Sequence, residues 1–311
     1  MSDIIKKATR DGYGDGLAEA GASSDFMVLD ADLAAATKTG VFKKAFPDRF
    51  IDCGIAEANM MGVAAGIASC GRTVFASSFA MFAAGRAFEI VRNSIAYPKL
   101  NVKIGATHAG SSVGEDGATH QCNEDIALMR AIPGMTIINP CDYNEAKASV
   151  KAAIEIDGPV YLRFGRMPLP VITQTDEFEF GKGRMLRDGT DVTIIATGLM
   201  VHEALSAADL LADKGISARV INIHTIKPID KDIIIKAANE TKGIVTAEEH
   251  SIIGGLGSAV ADIVCAQKPV PVLKVGVEDI FGRSGKGAEV LKEHGLTAEN
   301  IAEKAHLVCR Y

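Results

Sequence analysis

"NVKIGATHAGSSVGEDGATHQ", Asn101 to Gln121, is the stretch whose reading decides the fold. Its first part, "VKIGAT", is short, apolar and partly β-branched, and reads as a buried strand. Its second part reads as a loop: glycines at 110, 114 and 117 permit sharp turns, and His108, Glu115, Asp116 and His120 stand among hydroxyls. In open α/β sheets ligands bind beyond the carboxyl ends of strands, which is where this polar loop falls. A metal site needs converging ligands, and the spacing from His108 to His120 on a Gly-rich loop is not a ligand rhythm. Donors and acceptors in alternation suit a polyhydroxylated ligand better, and a sugar is the first expectation.

Working outward, "FMVLDADL", "EANMMGVAAGIASC", "TIINP" and "PVYLRF" alternate strand-like and helical patterns, which predicts a parallel sheet flanked by helices. The texture changes in "PLPVITQTDEFEFGKG", Pro168 to Gly183, with prolines, acids and no helical period. Alternation resumes with "DVTIIATG", "HEALSAADLLADKGI" and "ARVINIHT". Two α/β domains are expected, over 1–170 and 186–311, with a linker at 171–185; a length of 311 residues agrees.

A net charge of -6 without any Lys/Arg block gives no expectation of nucleic-acid or membrane-surface binding. The 6 cysteines, Cys53, Cys70, Cys122, Cys141, Cys265 and Cys309, form no CxxC pair and read as reduced core residues of a cytoplasmic protein. The N-terminus has no apolar signal core, and no run reaches about 18 apolar residues, so neither secretion nor membrane insertion is expected.

Two further stretches carry chemistry. "GIAEANMMGVAAGIASCG", Gly54 to Gly71, opens a small-residue helix with one acid, Glu57. A first-turn carboxylate ordinarily compensates the helix dipole, but this composition predicts a helix buried all round, where a carboxylate needs a partner. In "FASSFAMFAAGRAFE", Phe75 to Glu89, Phe79 and Phe82 are either core or one wall for a flat heterocycle.

Together with "ATR" (Ala8 to Arg10), "DADL" (Asp30 to Leu33) and "RMPLP" (Arg166 to Pro170), these stretches in this order resemble the pyrimidine-binding domain of transketolase. "GIVTAEEHSIIGGLGSAV", Gly243 to Val260, resembles that family's C-terminal domain. The resemblance spans the chain and corresponds to the C-terminal half of the usual polypeptide. It implies an α/β fold in which a thiamin-diphosphate-enzyme pyrimidine-binding domain is followed by a transketolase C-terminal-like domain.

The resemblance also implies roles. Glu57 would bond the ring nitrogen of the cofactor's aminopyrimidine, favouring the imino tautomer that removes the thiazolium proton. Phe79 and Phe82 would pack on that ring, with Asp32 lining the pocket; the family's third aromatic falls on Gly85, thinning the wall. His108 and His120 would bind hydroxyls beside the reacting carbonyl and move protons, and Asp116 would accept from the next hydroxyl. Arg10 and Arg166 would clamp the substrate phosphate, with Arg163 an alternative to Arg166. The family's residues flanking the glutamate are Ala56 and Ala58 here, and "AAATKT" after "DADL" offers only Thr37 and Thr39 in place of a phosphate-binding serine.

Deoxyxylulose-phosphate synthase is similar in "GEDGATHQ" but reads "DRAG" where this chain has "THAG", and 2-oxo acid dehydrogenase beta subunits lack the two-histidine loop. Ketol transfer is therefore the implied reaction. "GDGLAEAG", Gly14 to Gly21, mimics the start of the family's metal motif, yet "TKTGVFKKAF" supplies no asparagine to complete it, and a turn and surface helix are expected. The resemblance thus implies one subunit of a split transketolase, inactive without a separate N-terminal subunit that carries the diphosphate-binding domain. That partner would hold most of the Mg2+ or Ca2+, in a dimer of heterodimers acting on sugar phosphates. His250 and the glycines at 254, 255 and 257 are expected to be packing features.

Overall fold

The structure is a computed structural model and describes residues 5–311. Its strands are β1 (Lys6–Lys7), β2 (Phe26–Asp30), β3 (Phe50–Asp52), β4 (Thr73–Phe79), β5 (Val102–Thr107), β6 (Thr136–Ile138), β7 (Val160–Arg163), β8 (Leu169–Pro170), β9 (Arg184–Arg187), β10 (Val192–Ala196), β11 (Ala218–Asn222), β12 (Thr225–Lys227), β13 (Ile244–Ser251) and β14 (Val272–Val277). The order β12-β6-β7-β5-β4-β2-β3 makes a seven-stranded sheet, parallel except for β12. The order β14-β13-β10-β11-β9 makes a five-stranded sheet, parallel except for β9. β1 pairs antiparallel with β8.

Helices cover both faces of the larger sheet, which is why its strands are apolar runs rather than alternating ones. The pleat sends Val28 and Phe75 to a layer rich in aromatics with Tyr13, Phe26, Phe42 and Phe164. Leu29, Val74 and Ala76 face the opposite layer, built mainly of alanine with isoleucine and methionine. Burying each of the phenylalanines contributes roughly 1.5–3 kcal/mol.

Three expectations are corrected. The helix Glu57–Ser69 is not buried all round: Met60, Met61, Ala64, Ala65 and Ala68 face the core, while Asn59, Gly62, Gly66 and Ser69 are exposed. The "GDGLAEAG" segment lies within helix Thr9–Gly21 and is no surface helix, since Gly12, Gly14, Gly16 and Leu17 are buried. A Cβ on Gly12 would stand 2.3 Å from the Tyr143 carbonyl oxygen, so glycine is what lets this helix approach the helix Tyr143–Glu155. All six cysteines are free, but only Cys122 and Cys141 are buried, and Cys70 and Cys265 are exposed.

The halves interlock. "ARVINIHT" divides into β11, in the smaller sheet, and the start of β12, which crosses to the edge of the larger one. Lys227 Nζ then donates to the carbonyls of Arg130 and Ile132. The segment after Pro170 is pinned by Asp142, whose carboxylate accepts the N–H groups of Ile172 and Thr173 and also caps helix Tyr143–Glu155 through Glu145 N–H. Among the described residues no helix is long and apolar enough to cross a membrane.

Candidate active site

Parallel strands β7, β5, β4, β2 and β3 are neighbours in the larger sheet, so their carboxyl ends share one edge. Beyond them come, in spatial order, Arg166, His108, Phe82, Asp32 and Glu57. Register sets Phe79 beside Thr107, and Ala106 beside Arg163. Residues far apart in sequence are thereby lined up by backbone pairing alone.

Glu57 begins its helix and is only 2% exposed. The partner its burial demands is Arg86, whose Nη1 donates to Oε2 at 3.1 Å. Arg86 also lies 5.1 Å from the centroid of the Phe82 ring. It is the last residue of a wide π-helical turn, Met81–Arg86, a feature frequent at functional sites. Nothing in the sequence reading singled out Arg86; its place in the quoted "FAMFAAGRAFE" was the available signal.

Phe79 and Phe82 stack with centroids 6.0 Å apart and planes at 17°. The gap foreseen at Gly85 is partly filled, because the Met81 methyl lies 2.3 Å from where a Gly85 Cβ would stand. A nearly parallel aromatic pair beside a buried carboxylate, whose Oε1 receives no donor from the described residues, fits a flat heterocycle bearing a ring nitrogen. The aminopyrimidine of thiamin diphosphate is such a group.

His108 stacks on Phe79 at 3.8 Å and is buried. Its φ of 56° is left-handed, an unusual conformation that the surroundings must hold. Arg10 Nη1 lies 3.0 Å from Nε2, and Thr107 Oγ1 lies 3.0 Å from Nδ1. A guanidinium has only donors, so Nε2 accepts and the proton sits on Nδ1. Burial, reinforced by the charges of Arg10 and Arg166, lowers the His108 pKa to about 3, and the ring is neutral at pH 7. His120, half-buried, completes the aromatic cluster with centroids 5.4 Å from Phe82 and 6.3 Å from Phe79.

Arg166 lies at the mouth, its Nη1 donating to the Val113 carbonyl at 2.7 Å and 3.6 Å from both Glu115 and Asp116. Burial lowers the Arg10 pKa, and the charge of Arg166 lowers it further. Arg10 also donates to the Ala36 carbonyl. Lys38, unremarked in the sequence, adds its charge to those facing His108 from a left-handed backbone at φ 71° and pairs with Asp11 at 3.3 Å.

Two predicted residues stand apart from these contacts. Arg163 is buried and committed: Nε donates to Asp125 at 2.8 Å and Nη2 to the Glu249 carbonyl at 2.9 Å. A guanidinium so occupied is not free to clamp phosphate. Asp32 is exposed, with its N–H donated to Asp52. The acid organising that corner is the buried Asp30, which accepts from Thr37 and Thr39 hydroxyls at 2.7 and 2.8 Å. Those hydroxyls are therefore spent and cannot replace the missing serine.

The His108 shift fixes one pH effect. With the folded pKa near 3 and the unfolded value near 6.5, only the unfolded chain takes up this proton in that window. Stability from this group is full above pH 6.5 and declines, by about 1.4 kcal/mol per pH unit, as pH falls toward 3. In urea titrations of the wild type and His108→Asn at pH 6.5 and 5.0, the variant is expected to lose less stability on acidification. An equal loss in both contradicts the assignment of a neutral, buried His108.

Residues 5–171 match the family "Transketolase, pyrimidine binding domain" and residues 181–301 match "Transketolase, C-terminal domain". A putative transketolase C-terminal section of Methanocaldococcus jannaschii is 52% identical, with 96% of each chain covered. A 6-deoxy-6-sulfo-D-fructose transketolase subunit of Clostridium sp. is 46% identical over 96% of this chain and 94% of its own. Among solved structures, a split gene transketolase described as an inactive beta4 tetramer superposes with a TM-score of 0.90 at 50% identity, covering 97% of this chain and 98% of that one. The chain belongs to the transketolase family, whose pyrimidine-binding and C-terminal domains it carries in that order.

Proposed function

We propose that this chain is one subunit of a thiamin-diphosphate-dependent transketolase that moves a two-carbon ketol unit from a phosphorylated ketose to an aldose. It works with a separate N-terminal subunit carrying the diphosphate-binding domain, in a dimer of heterodimers. In this reading residues 1–170 form the pyrimidine-binding domain, 171–185 the linker and 186–311 the C-terminal domain. The observation that carries the proposal is the continuous row from Glu57 and Arg86 through Phe82, Phe79 and His108 to Arg10.

When bound, thiamin diphosphate supplies a nucleophilic carbon able to hold the two-carbon fragment. Glu57 shares a proton with a pyrimidine ring nitrogen, fixed in place by Arg86 and the first turn of its helix. Phe79 and Phe82 hold the ring face and exclude water. His108, kept neutral, offers Nε2, which Arg10 Nη1 now occupies, to a hydroxyl beside the reacting carbonyl as Arg10 turns to the phosphate, and His120 moves a proton there. Asp116 accepts from the next hydroxyl, so that a wrong epimer leaves a polar group unpaired. Arg10 and Arg166 take the phosphate, for which Arg166 exchanges its long contacts to Glu115 and Asp116. Mg2+ or Ca2+ falls mainly to the partner, and no metal ligand is assigned to this chain.

Two features support the partner. Ile55, two residues before Glu57, is 77% exposed, and Phe281, beside the loop segment at Gln121, is 92% exposed. The relatives with matching lengths are themselves described as a section or a subunit.

Arg10→Ala tests the substrate reading. Losing a charged donor to phosphate costs about 1.5–3 kcal/mol, and losing the bond to His108 about 1 kcal/mol. In the reconstituted complex, kcat/KM for xylulose 5-phosphate with ribose 5-phosphate should fall about a hundredfold or more, and for an unphosphorylated ketose only about fivefold. Equal losses for both donors contradict a phosphate role for Arg10.

A further inference from the structure

The C-terminal half reaches the substrate loop through one side chain that the account above does not use. Glu249, on β13, is buried, and its Oε1 accepts the Ser112 N–H at 2.5 Å. That N–H opens the turn Ser111–Asp116, which leads from His108 to Asp116. The fit is close: a Cβ on Gly110 would come within 2.4 Å of Glu249 Oε1. Glu249 is itself held, because its carbonyl receives Arg163 Nη2 at 2.9 Å while Arg163 Nε is fixed by Asp125. The Tyr161 hydroxyl donates to the same Asp125 oxygen at 2.9 Å.

Neighbouring contacts run the same way. Ser251 N–H donates to the Asn123 carbonyl at 2.7 Å, and Gln121 Nε2 bridges the carbonyls of Ser111 and Arg283. Gly114 lies against Gly285 and Gly287. The loop therefore has its root in the larger sheet and its underside on the second half. Burial pushes the Glu249 carboxyl up to about 7, opposed by the charge of Arg163, so this group is placed at a cost that a surface acid would not incur.

We infer that Glu249 is a positioning residue for ketol transfer: as a hydrogen-bond acceptor from the C-terminal domain, it fixes the Ser112 backbone and thereby sets Asp116 and the histidine loop against the substrate. This rests on the proposed role of that loop. The role is one of reach and acceptance rather than charge, since a neutral amide of the same length could receive the same N–H.

The test compares Glu249→Gln, which keeps length and acceptor, with Glu249→Leu, which keeps volume and loses the acceptor, each reconstituted with the N-terminal subunit. Wild-type transfer checks the underlying reading first. The glutamine variant is expected within about threefold of wild type, and the leucine variant about a hundredfold lower in kcat/KM, the scale for a misplaced group far from the chemistry. That loss should lie mainly in KM for the ketose, with the affinity for thiamin diphosphate unchanged, which a general loss of folding would not spare. Amide exchange of the isolated leucine variant should rise selectively over residues 108–121, a readout independent of assembly. Equal activity of the two variants, a glutamine variant as impaired as the leucine one, or unchanged loop exchange in the leucine variant overturns the inference.

Discussion

Glu57→Gln is expected to lower ketol transfer by the reconstituted enzyme by about 10²–10⁴-fold, the range for removing a positioned proton-transfer group. The substitution conserves volume and one acceptor oxygen, so packing around Met60 and Met61 is kept. What it removes is a carboxyl able to share a proton with a ring nitrogen, together with the charge that orients Arg86 at 3.1 Å. Because Arg86 is itself more than half exposed, its stabilising contribution is small, and the unfolding midpoint should stay within a few degrees of wild type. Transfer within threefold of wild type in a correctly assembled complex contradicts the role given to Glu57.

The second large effect is an absolute one: the chain without its N-terminal partner is expected to give no measurable transfer. The row of site residues lies along an open sheet edge. A groove of about 720 Å³, lined by Glu19, Lys147, Lys151 and Phe178, lies elsewhere. Among the described residues no group of three or more His, Cys, Asp or Glu side chains is arranged to hold a metal ion. A diphosphate needs such a cation or a comparable set of donors. A reaction that must exclude water also needs a second wall over Phe79, Phe82 and His108. Both requirements fall to the partner in this account.

Much of this arrangement was legible in the sequence, for identifiable reasons. "VKIGATH" announced its strand and loop because periodicity and glycine placement are local properties, and the family resemblance gave the fold of both domains. What eluded the sequence were relations between distant residues. Arg86 is 29 positions from Glu57 and is joined to it only by folding. Arg163 and Arg166, three residues apart, had equal chemical claims on a phosphate; the first ends β7 buried against Asp125, and the second lies past the strand at the mouth. The helix Glu57–Ser69 was misjudged because glycine and alanine suit a tightly packed face and an open one equally well. The crossing of β12 into the first sheet was invisible because a short run such as "TIK" carries no mark of which sheet it joins.

The central claim is that the chemistry is completed between two chains, and it is tested most directly by titrating a fixed amount of this chain with its N-terminal subunit. Thiamin diphosphate, Mg2+, xylulose 5-phosphate and ribose 5-phosphate are present throughout. Expected are no transfer by either chain alone, a linear rise that saturates at equimolar ratio, and a plateau lowered by about 10²–10⁴-fold when Glu57→Gln replaces the wild type. Transfer by this chain alone, or a response indifferent to Glu57, would contradict that claim.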